Sequence, residues 1–248
     1  MVAGRDAGGA FRFAAALVRP PLMALTKRDW RGAEHLPAEG GFVVVSNHIS
    51  HVDPFTLAHF LLDNGYPVRF LAKDSVFRIP VAGRIVAAAG QIPVYRETGD
   101  AARAFSAAVE AVQRGECVGI YPDATLTRDP GLWPMVGKTG AARIALTTGC
   151  PVIPVAQWGP QELLPPYAGR PHLLPRRTMQ VWAGPPVDLS AWQGKTLEPA
   201  TLRGATDAIT ARLTGMLETM RDERAPAVRW DPRSHDLPRT GNPHRRPR

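Results

Sequence analysis

The sequence predicts an α/β fold with a mostly parallel central sheet covered by helices on both faces. Short apolar, β-branched runs alternate with helical stretches, and polar clusters directly follow several of the runs. Buried parallel strands are typically near-continuous apolar runs, and helices cover both faces of such sheets. The predicted strands cover residues 42–45, 68–71, 92–95, 117–120, 152–156 and 179–182. The predicted helices cover residues 54–63, 81–88, 101–114, 140–148 and 201–220.

The composition limits the class of protein. The 248 residues include 30 Lys and Arg against 22 Asp and Glu, which gives a formal net charge of +8, and 44% are hydrophobic. This length and hydrophobic fraction allow one sizeable core and exclude a wholly disordered chain. Cys117 and Cys150 stand alone without a metal-binding spacing, so neither a disulfide framework nor a zinc module is predicted. A reducing compartment is therefore expected.

Three regions are predicted along the chain. Residues 1–35 form an N-terminal helical segment at a membrane interface, residues 36–223 an α/β domain, and residues 224–248 a flexible basic tail rich in Pro and Arg. Residues 221–248 contain eight arginines and four acidic residues, a net +4 and half of the total charge. The body of the chain lacks a nucleic-acid motif, so anionic lipid is expected as the partner and nucleic acid is not.

The N-terminal segment contains the most apolar stretch of the chain, over residues 11–25. Arg12, Arg19 and a pair of prolines interrupt it, so it falls short of the ~20 apolar residues of a membrane-spanning helix. An apolar helix with interspersed arginines suits the surface of a bilayer. The same pattern also suits a helix that packs on the domain, and amphipathicity alone does not separate the two.

The first predicted strand leads directly into a cluster of polar residues. His48 and Asp53 are five residues apart, a spacing at which a turn can bring the carboxylate onto the imidazole and orient it as a general base. A structural alternative is equally specific, because Ser50, Asp53 and Pro54 also match the start of a helix with Asp53 as its cap. A metal site that includes His51 is disfavoured, since no second cluster supplies further ligands.

Charged residues follow other predicted strands as well. Arg96 follows the strand over 92–95, and the strand over 117–120 leads into a loop that contains Arg128. Because the carboxyl ends of parallel strands meet at one edge of a sheet, both arginines are expected near His48. Two guanidinium groups so placed suit a phosphate group, although either one alone is typical of a solvated surface charge.

Four ordered blocks of this sequence resemble the glycerolipid acyltransferase family, the group that contains 1-acylglycerol-3-phosphate acyltransferases. Residues 47–53 match its pattern N-H-x-S-x-x-D, and residues 90–96, GQIPVYR, are similar to its second block. Residues 121–125, YPDAT, resemble the third block, usually P-E-G-T, and residues 152–155, VIPV, resemble the fourth.

The resemblance implies transfer of a fatty acyl group from acyl-CoA or acyl-carrier protein to the free hydroxyl of a lysophospholipid. It implies that His48 is the general base and that Asp53 orients it, with neither a metal nor a cofactor besides the acyl thioester. It also implies a membrane-bound N-terminal region and a peripheral or monotopic location at the cytoplasmic face of the cell membrane. The residues expected to bind substrate are Asn47, Ser50, Arg96, Asp123, Ala124, Thr125 and Arg128.

The third block departs from the family pattern. Asp123 and Ala124 replace the usual Glu-Gly, and Leu126 stands where an arginine usually follows Thr125. Alanine lacks the freedom of glycine at positive φ, so acceptor binding is the step expected to change. A lipid-binding homologue without catalysis, a membrane-surface or nucleic-acid adaptor that acts through the basic ends, and a thioester hydrolase therefore stay open as alternatives. For Trp133 and Trp158, packing is favoured over lining of an acyl tunnel.

Overall fold

The structure, a computed structural model, describes residues 8–94 and 101–234, and these form a seven-stranded sheet with helices on both faces. The strands are β1 (Thr26–Arg31), β2 (Phe42–Ser46), β3 (Val68–Lys73), β4 (Ile92–Val94), β5 (Cys117–Ile120), β6 (Val152–Trp158) and β7 (Arg177–Ala183). The helices are α1 (Gly9–Leu25), α2 (Asp53–Asp63), α3 (Asp74–Phe77), α4 (Ala82–Ala88), α5 (Ala101–Gln113), α6 (Gly140–Thr148), α7 (Pro160–Leu163) and α8 (Pro199–Arg221). Short 3₁₀ turns lie at Ala33–His35, Ser190–Trp192 and Pro232–Ser234.

The sheet has the strand order β1-β7-β6-β2-β5-β3-β4. Strand β2 pairs in parallel with both β5 and β6, and β3 pairs in parallel with β5 and β4. Strand β7 runs antiparallel to β6, while β1 runs parallel to β7. The prediction of a mostly parallel sheet is therefore confirmed.

Strand β2 lies at the centre of the core, and its residues alternate between the two faces of the sheet. Val43 and Val45 pack with residues of α5, α6 and α8, whereas Phe42 and Val44 pack with residues of α2. All four side chains are fully buried. A strand buried on both faces needs apolar residues at every position, which explains why the sequence reads as an unbroken run.

The reversal of β7 determines where β1 begins. Trp158 at the end of β6 pairs with Gln180, three residues after the start of β7, and Thr26 pairs with Arg177. The start of β1 therefore lies at the edge of the sheet where β2, β5 and β6 end. Helix α1 leads into β1 without an intervening residue, because α1 ends at Leu25.

Strand β1 is the main difference from the predicted fold. Four of its six residues, Thr26–Arg31, are charged, so the segment shows neither an apolar run nor an alternating pattern. It still pairs along its whole length with β7 as the outermost strand of the sheet, a position where exposed charged side chains are common. Residues 26–31 therefore belong to the sheet and not to the predicted N-terminal helical segment over 1–35.

The six predicted strands agree with the structure within two residues at each end, except that Tyr95 lies outside the described residues.

The predicted flexible tail over 224–248 is wrong for its first part. The backbone amide of Val136 donates to the carbonyl of Trp230 at 2.9 Å, and Arg229 pairs with Asp207 of α8 at 3.0 Å. Residues 235–248 lie outside the described residues.

Helix α1 is attached to the domain through polar contacts. Arg19 pairs with Asp63 at 2.6 Å, and its Nε donates to Nε2 of His59 at 3.2 Å. None of the residues of α1 is buried, and Phe13 and Leu17 are 61% and 58% exposed. Within the described ranges, no helix combines the length and apolar character that crossing a bilayer requires.

Candidate active site

The pair predicted from the first block is present in the structure. Nδ1 of His48 lies 3.0 Å from Oδ2 of Asp53, at the edge of the sheet where β2 ends. The side chain of His48 is 17% exposed, whereas that of Asp53 is fully buried. The imidazole is therefore accessible from solvent while the carboxylate that contacts it is not.

Asp53 also holds the loop that precedes its own helix. Its Oδ2 accepts hydrogen bonds from the backbone amides of Ile49 at 2.5 Å and Ser50 at 2.8 Å, besides the contact with His48. An N-cap side chain would accept from amides further along the helix, so Asp53 does not cap α2 in the usual sense. The predicted cap of α2 is therefore wrong, and the oxygen that contacts His48 holds the preceding loop instead.

The contact with Asp53 selects the tautomer of His48. Because a carboxylate only accepts hydrogen bonds, the neutral imidazole carries its proton on Nδ1 and leaves Nε2 with the lone pair that a general base needs. Burial raises the pKa of Asp53, while the hydrogen bonds from His48 and the two amides favour its charged form. Three donors on one oxygen favour the carboxylate in the folded protein.

Tyr121 supports the ring of His48 from one side. The two rings stack with centroids 4.2 Å apart and planes 24° from parallel, and Phe70 stacks on Tyr121 in turn at 5.9 Å. Strands β2 and β5 are neighbours, so the first residue after β5 meets the loop after β2. Tyr121 belongs to the third block, but the sequence alone assigns it no role, because stacking between residues of different strands leaves no local pattern.

Gln157 at the end of β6 is a further residue that sequence reasoning missed. Its backbone amide donates to Oδ1 of Asn47 at 2.8 Å, and its carbonyl accepts from Nδ2 of Asn47 at 2.9 Å. Its side chain accepts from Thr56 of α2 at 2.5 Å and donates to Ser46 at 2.9 Å. The signal available in the sequence was a polar residue near the end of an otherwise apolar, buried strand.

Asn47 and Ser50 are held in place by the protein itself. Asn47 is 2% exposed and uses both ends of its amide on the backbone of Gln157. Ser50 is fully buried, and its hydroxyl donates to the carbonyl of Leu164 at 2.7 Å and accepts from the amide of Val52. Both residues position the loop that carries His48, and their contact with a substrate stays a prediction.

Residues 121–139 form the β5–α6 loop, which contains the third block and contacts the loop of His48. The backbone amide of Thr127 donates to the carbonyl of His48 at 2.7 Å. Thr125 is half-buried, and Arg128 is 8% exposed. The structure thus places Asp123, Ala124, Thr125 and Arg128 in one loop beside His48, whereas Arg96 lies outside the described residues.

Asp123 is a buried acid in this loop. Its Oδ1 accepts from the backbone amide of Met135 at 3.2 Å, and the residue is 6% exposed. Burial raises the pKa of Asp123 to about 7, the bond from the amide of Met135 acts against this rise, and the charge of Asp129 adds to it. Near neutral pH the carboxyl group is therefore divided between its charged and protonated forms.

A comparison with protein families decides the classification of the chain. Residues 27–158, just over half of the sequence, match the model of the family described as Acyltransferase. The chain belongs to this acyltransferase family. The matched residues include His48, Asp53 and the third block, so the pair and the loop described above lie within the family domain.

Curated relatives of this acyltransferase-family chain share the same region. A 1-acyl-sn-glycerol-3-phosphate acyltransferase of Brassica napus is 34% identical over 56% of this chain and 39% of its own length. Enzymes of the same name from Borreliella burgdorferi and Bacillus subtilis are 33% and 32% identical over 50% and 52% of this chain, and over 48% and 61% of their own lengths. The chain thus matches less than two thirds of each of these relatives.

A solved structure has a similar fold. The crystal structure of the 1-acyl-sn-glycerophosphate acyltransferase PlsC from Thermotoga maritima superposes with a TM-score of 0.64 at 23% sequence identity. The match covers 90% of this chain and 86% of that chain. It confirms the α/β architecture over nearly the whole length of the sequence.

The backbone at Ala124 leads to a prediction about stability. Its φ of 54° lies in the left-handed region, where a side chain with a Cβ is strained and the glycine usual in the family is not. We expect Ala124→Gly to raise the free energy of unfolding by about 0.5–1 kcal/mol in urea denaturation. Ala87→Gly, at an exposed position of α4, is the control and should lower it by a similar amount. A loss of stability in Ala124→Gly would contradict the prediction.

The raised pKa of Asp123 leads to a prediction about pH. Between the ordinary value of 3.8 and the folded value of about 7, the folded state binds more protons than the unfolded state, so stability falls as pH rises. Asp123→Asn removes this contribution. From about pH 5 to about pH 8 the variant should gain about 2 kcal/mol relative to wild type in urea unfolding, an order-of-magnitude figure. If the difference in unfolding free energy between variant and wild type did not change with pH, Asp123 would be charged over this whole pH range.

Proposed function

We propose that this protein transfers a fatty acyl group from acyl-CoA or acyl-carrier protein to the free hydroxyl of a lysophospholipid. The preferred acceptor is 1-acylglycerol-3-phosphate, which would give phosphatidate. The observation that carries the proposal is the contact of 3.0 Å between His48 and Asp53 at the strand edge, in a chain that belongs to the acyltransferase family. The names of the relatives support the choice of acceptor.

The chemistry follows from the state of the imidazole. Nε2 of His48 takes the proton of the acceptor hydroxyl while the oxygen attacks the thioester carbonyl carbon. Asp53 stabilises the imidazolium that results. The carbon–sulfur bond then breaks, and the leaving thiolate takes the proton from Nε2, which yields an ester and a free thiol. No covalent intermediate on the protein is required.

The acceptor phosphate is held, in this proposal, by Arg96 and the loop from Asp123 to Arg128. The contact of 2.7 Å between the amide of Thr127 and the carbonyl of His48 supports it, because the loop and the base are then positioned together. A partly protonated Asp123 repels an anionic phosphate less than a fully charged carboxylate would.

Removal of the general base tests the proposed reaction. We expect His48→Ala to lower acyl transfer from labelled oleoyl-CoA to 1-acylglycerol-3-phosphate at least about 100-fold. His35→Ala is the matched control, because Ala33–His35 precedes β2 and lies away from the end of that strand. Mass spectrometry of the products over a panel of lysophospholipids identifies the acceptor. Undiminished transfer by a folded His48→Ala variant would refute this role, and release of fatty acid alone would indicate hydrolysis.

We further propose that α1 brings the enzyme to the surface of an anionic membrane, at its cytoplasmic face. Arg19 attaches one side of α1 to Asp63, and Phe13 and Leu17, four residues apart, lie exposed on a helix that also carries Arg12. Apolar side chains beside arginines suit the boundary between headgroups and acyl chains. The free cysteines, Cys117 and Cys150, agree with a reducing compartment.

Vesicle binding tests this proposal. In sedimentation with vesicles of phosphatidylcholine and phosphatidylglycerol, Phe13→Ser combined with Leu17→Ser should lower the partition coefficient at least about tenfold, since two apolar side chains no longer leave water. Val228→Ser is the control, because Val228 is 83% exposed but lies in the segment after α8. Equal binding of both variants would exclude α1 as the contact.

A further inference from the structure

Arg221, the last residue of α8, is buried between two indole rings. Its guanidinium carbon lies 3.8 Å from the ring centroid of Trp133 and 4.2 Å from that of Trp158. The side chain is only 6% exposed, although Arg221 is the first arginine of the basic C-terminal region over residues 221–248. The predicted packing role of Trp133 and Trp158 agrees with the structure, in which both indoles also contact the guanidinium of Arg221.

The same arginine is bonded to the β5–α6 loop. Its Nη1 donates to the carbonyl of Gly131 at 2.8 Å, and Trp133 is itself a residue of that loop. The hydroxyl of Thr127 donates to the carbonyl of Trp133 at 2.7 Å, and the amide of Thr127 donates to the carbonyl of His48. A continuous series of contacts therefore connects the end of α8 with the backbone of the predicted general base.

The chain after α8 adds a second attachment to this loop. The amide of Val136 donates to the carbonyl of Trp230 at 2.9 Å. Arg229 pairs with Asp207 at 3.0 Å and so fixes the segment that contains Trp230 against α8. The β5–α6 loop is thus held from outside at two points.

The backbone of the loop requires such support. Ala124 and Leu132 have φ values of 54° and 62°, which residues other than glycine rarely adopt. A strained backbone persists only where the surrounding structure holds it. Residues 221–230 supply that support, and they lie beyond residues 27–158, which match the family model.

We propose that Arg221 and the segment containing Trp230 form a C-terminal clamp that positions the β5–α6 loop for binding of the acceptor phosphate. This inference rests on the proposed function, in which that loop holds the phosphate. Arg221 acts here as a positioning residue through Gly131 and Trp133. The clamp determines the affinity of the enzyme for the acceptor and leaves its affinity for the acyl donor unchanged.

Hydrogen exchange tests the clamp without any assay of activity. Arg221→Lys keeps the charge but loses the guanidinium fork and its contacts with the two indoles. Backbone amides of residues 124–136 should then exchange at least about threefold faster, while those of α5 stay unchanged, because the opening is local. Arg224→Ala is the matched control, since its side chain is 92% exposed and contacts only Glu218 at 3.7 Å among the ion pairs described. Unchanged exchange in Arg221→Lys would overturn the clamp.

Kinetics test what the clamp does. The KM for 1-acylglycerol-3-phosphate should rise at least about fivefold in Arg221→Lys, and further in Arg221→Ala, with the KM for oleoyl-CoA within about twofold of wild type. Thermal melting shows whether Arg221→Ala is folded, and Arg221→Lys decides the outcome if it is not. If Arg221→Lys exchanged faster but kept the KM for the acceptor, or raised both KM values equally, the proposed role of the clamp in acceptor binding would be overturned. Absence of transfer by wild type would refute the proposed function, and hydrogen exchange would still decide the clamp.

Discussion

One carboxylate oxygen, Oδ2 of Asp53, organises the loop on which the candidate site depends. It accepts three hydrogen bonds, from the amides of Ile49 and Ser50 and from the imidazole of His48. The backbone of the loop and the ring that it carries are therefore oriented by the same buried atom. The conformation of this turn and the orientation of the imidazole therefore depend on the same acceptor atom.

The order of the strands explains why so few residues suffice to hold His48. Strand β2 lies between β5 and β6, so the segments that follow all three strands meet at one place. The amide of Asn47 joins the end of β2 to Gln157 of β6, and Tyr121 after β5 stacks on the imidazole. Asp53 and Tyr121 thus contact the ring itself, while Asn47 and Gln157 fix the backbone of the loop that carries it.

Local signals account for what could be predicted from the sequence. Six strands were predictable because each contains a short apolar or β-branched run, and β2, β5 and β6 are buried on both faces. The pair of His48 and Asp53 was predictable because both residues lie in one short turn. Strand β1 was not, since its charged residues owe their conformation to pairing with β7. The roles of Gln157 and Arg221 depend on contacts with residues about 90 to 110 positions away, which no local pattern records.

The reversal of β7 has a consequence for the way the molecule can face a surface. If β7 had run parallel to β6, β1 would begin at the opposite edge of the sheet, and α1 would enter from the side remote from His48. The reversal instead brings the entry point of α1 to the side of the sheet on which His48 follows β2. A surface bound by α1 would therefore lie on that side, and the direct passage from Leu25 to Thr26 leaves no linker between helix and strand.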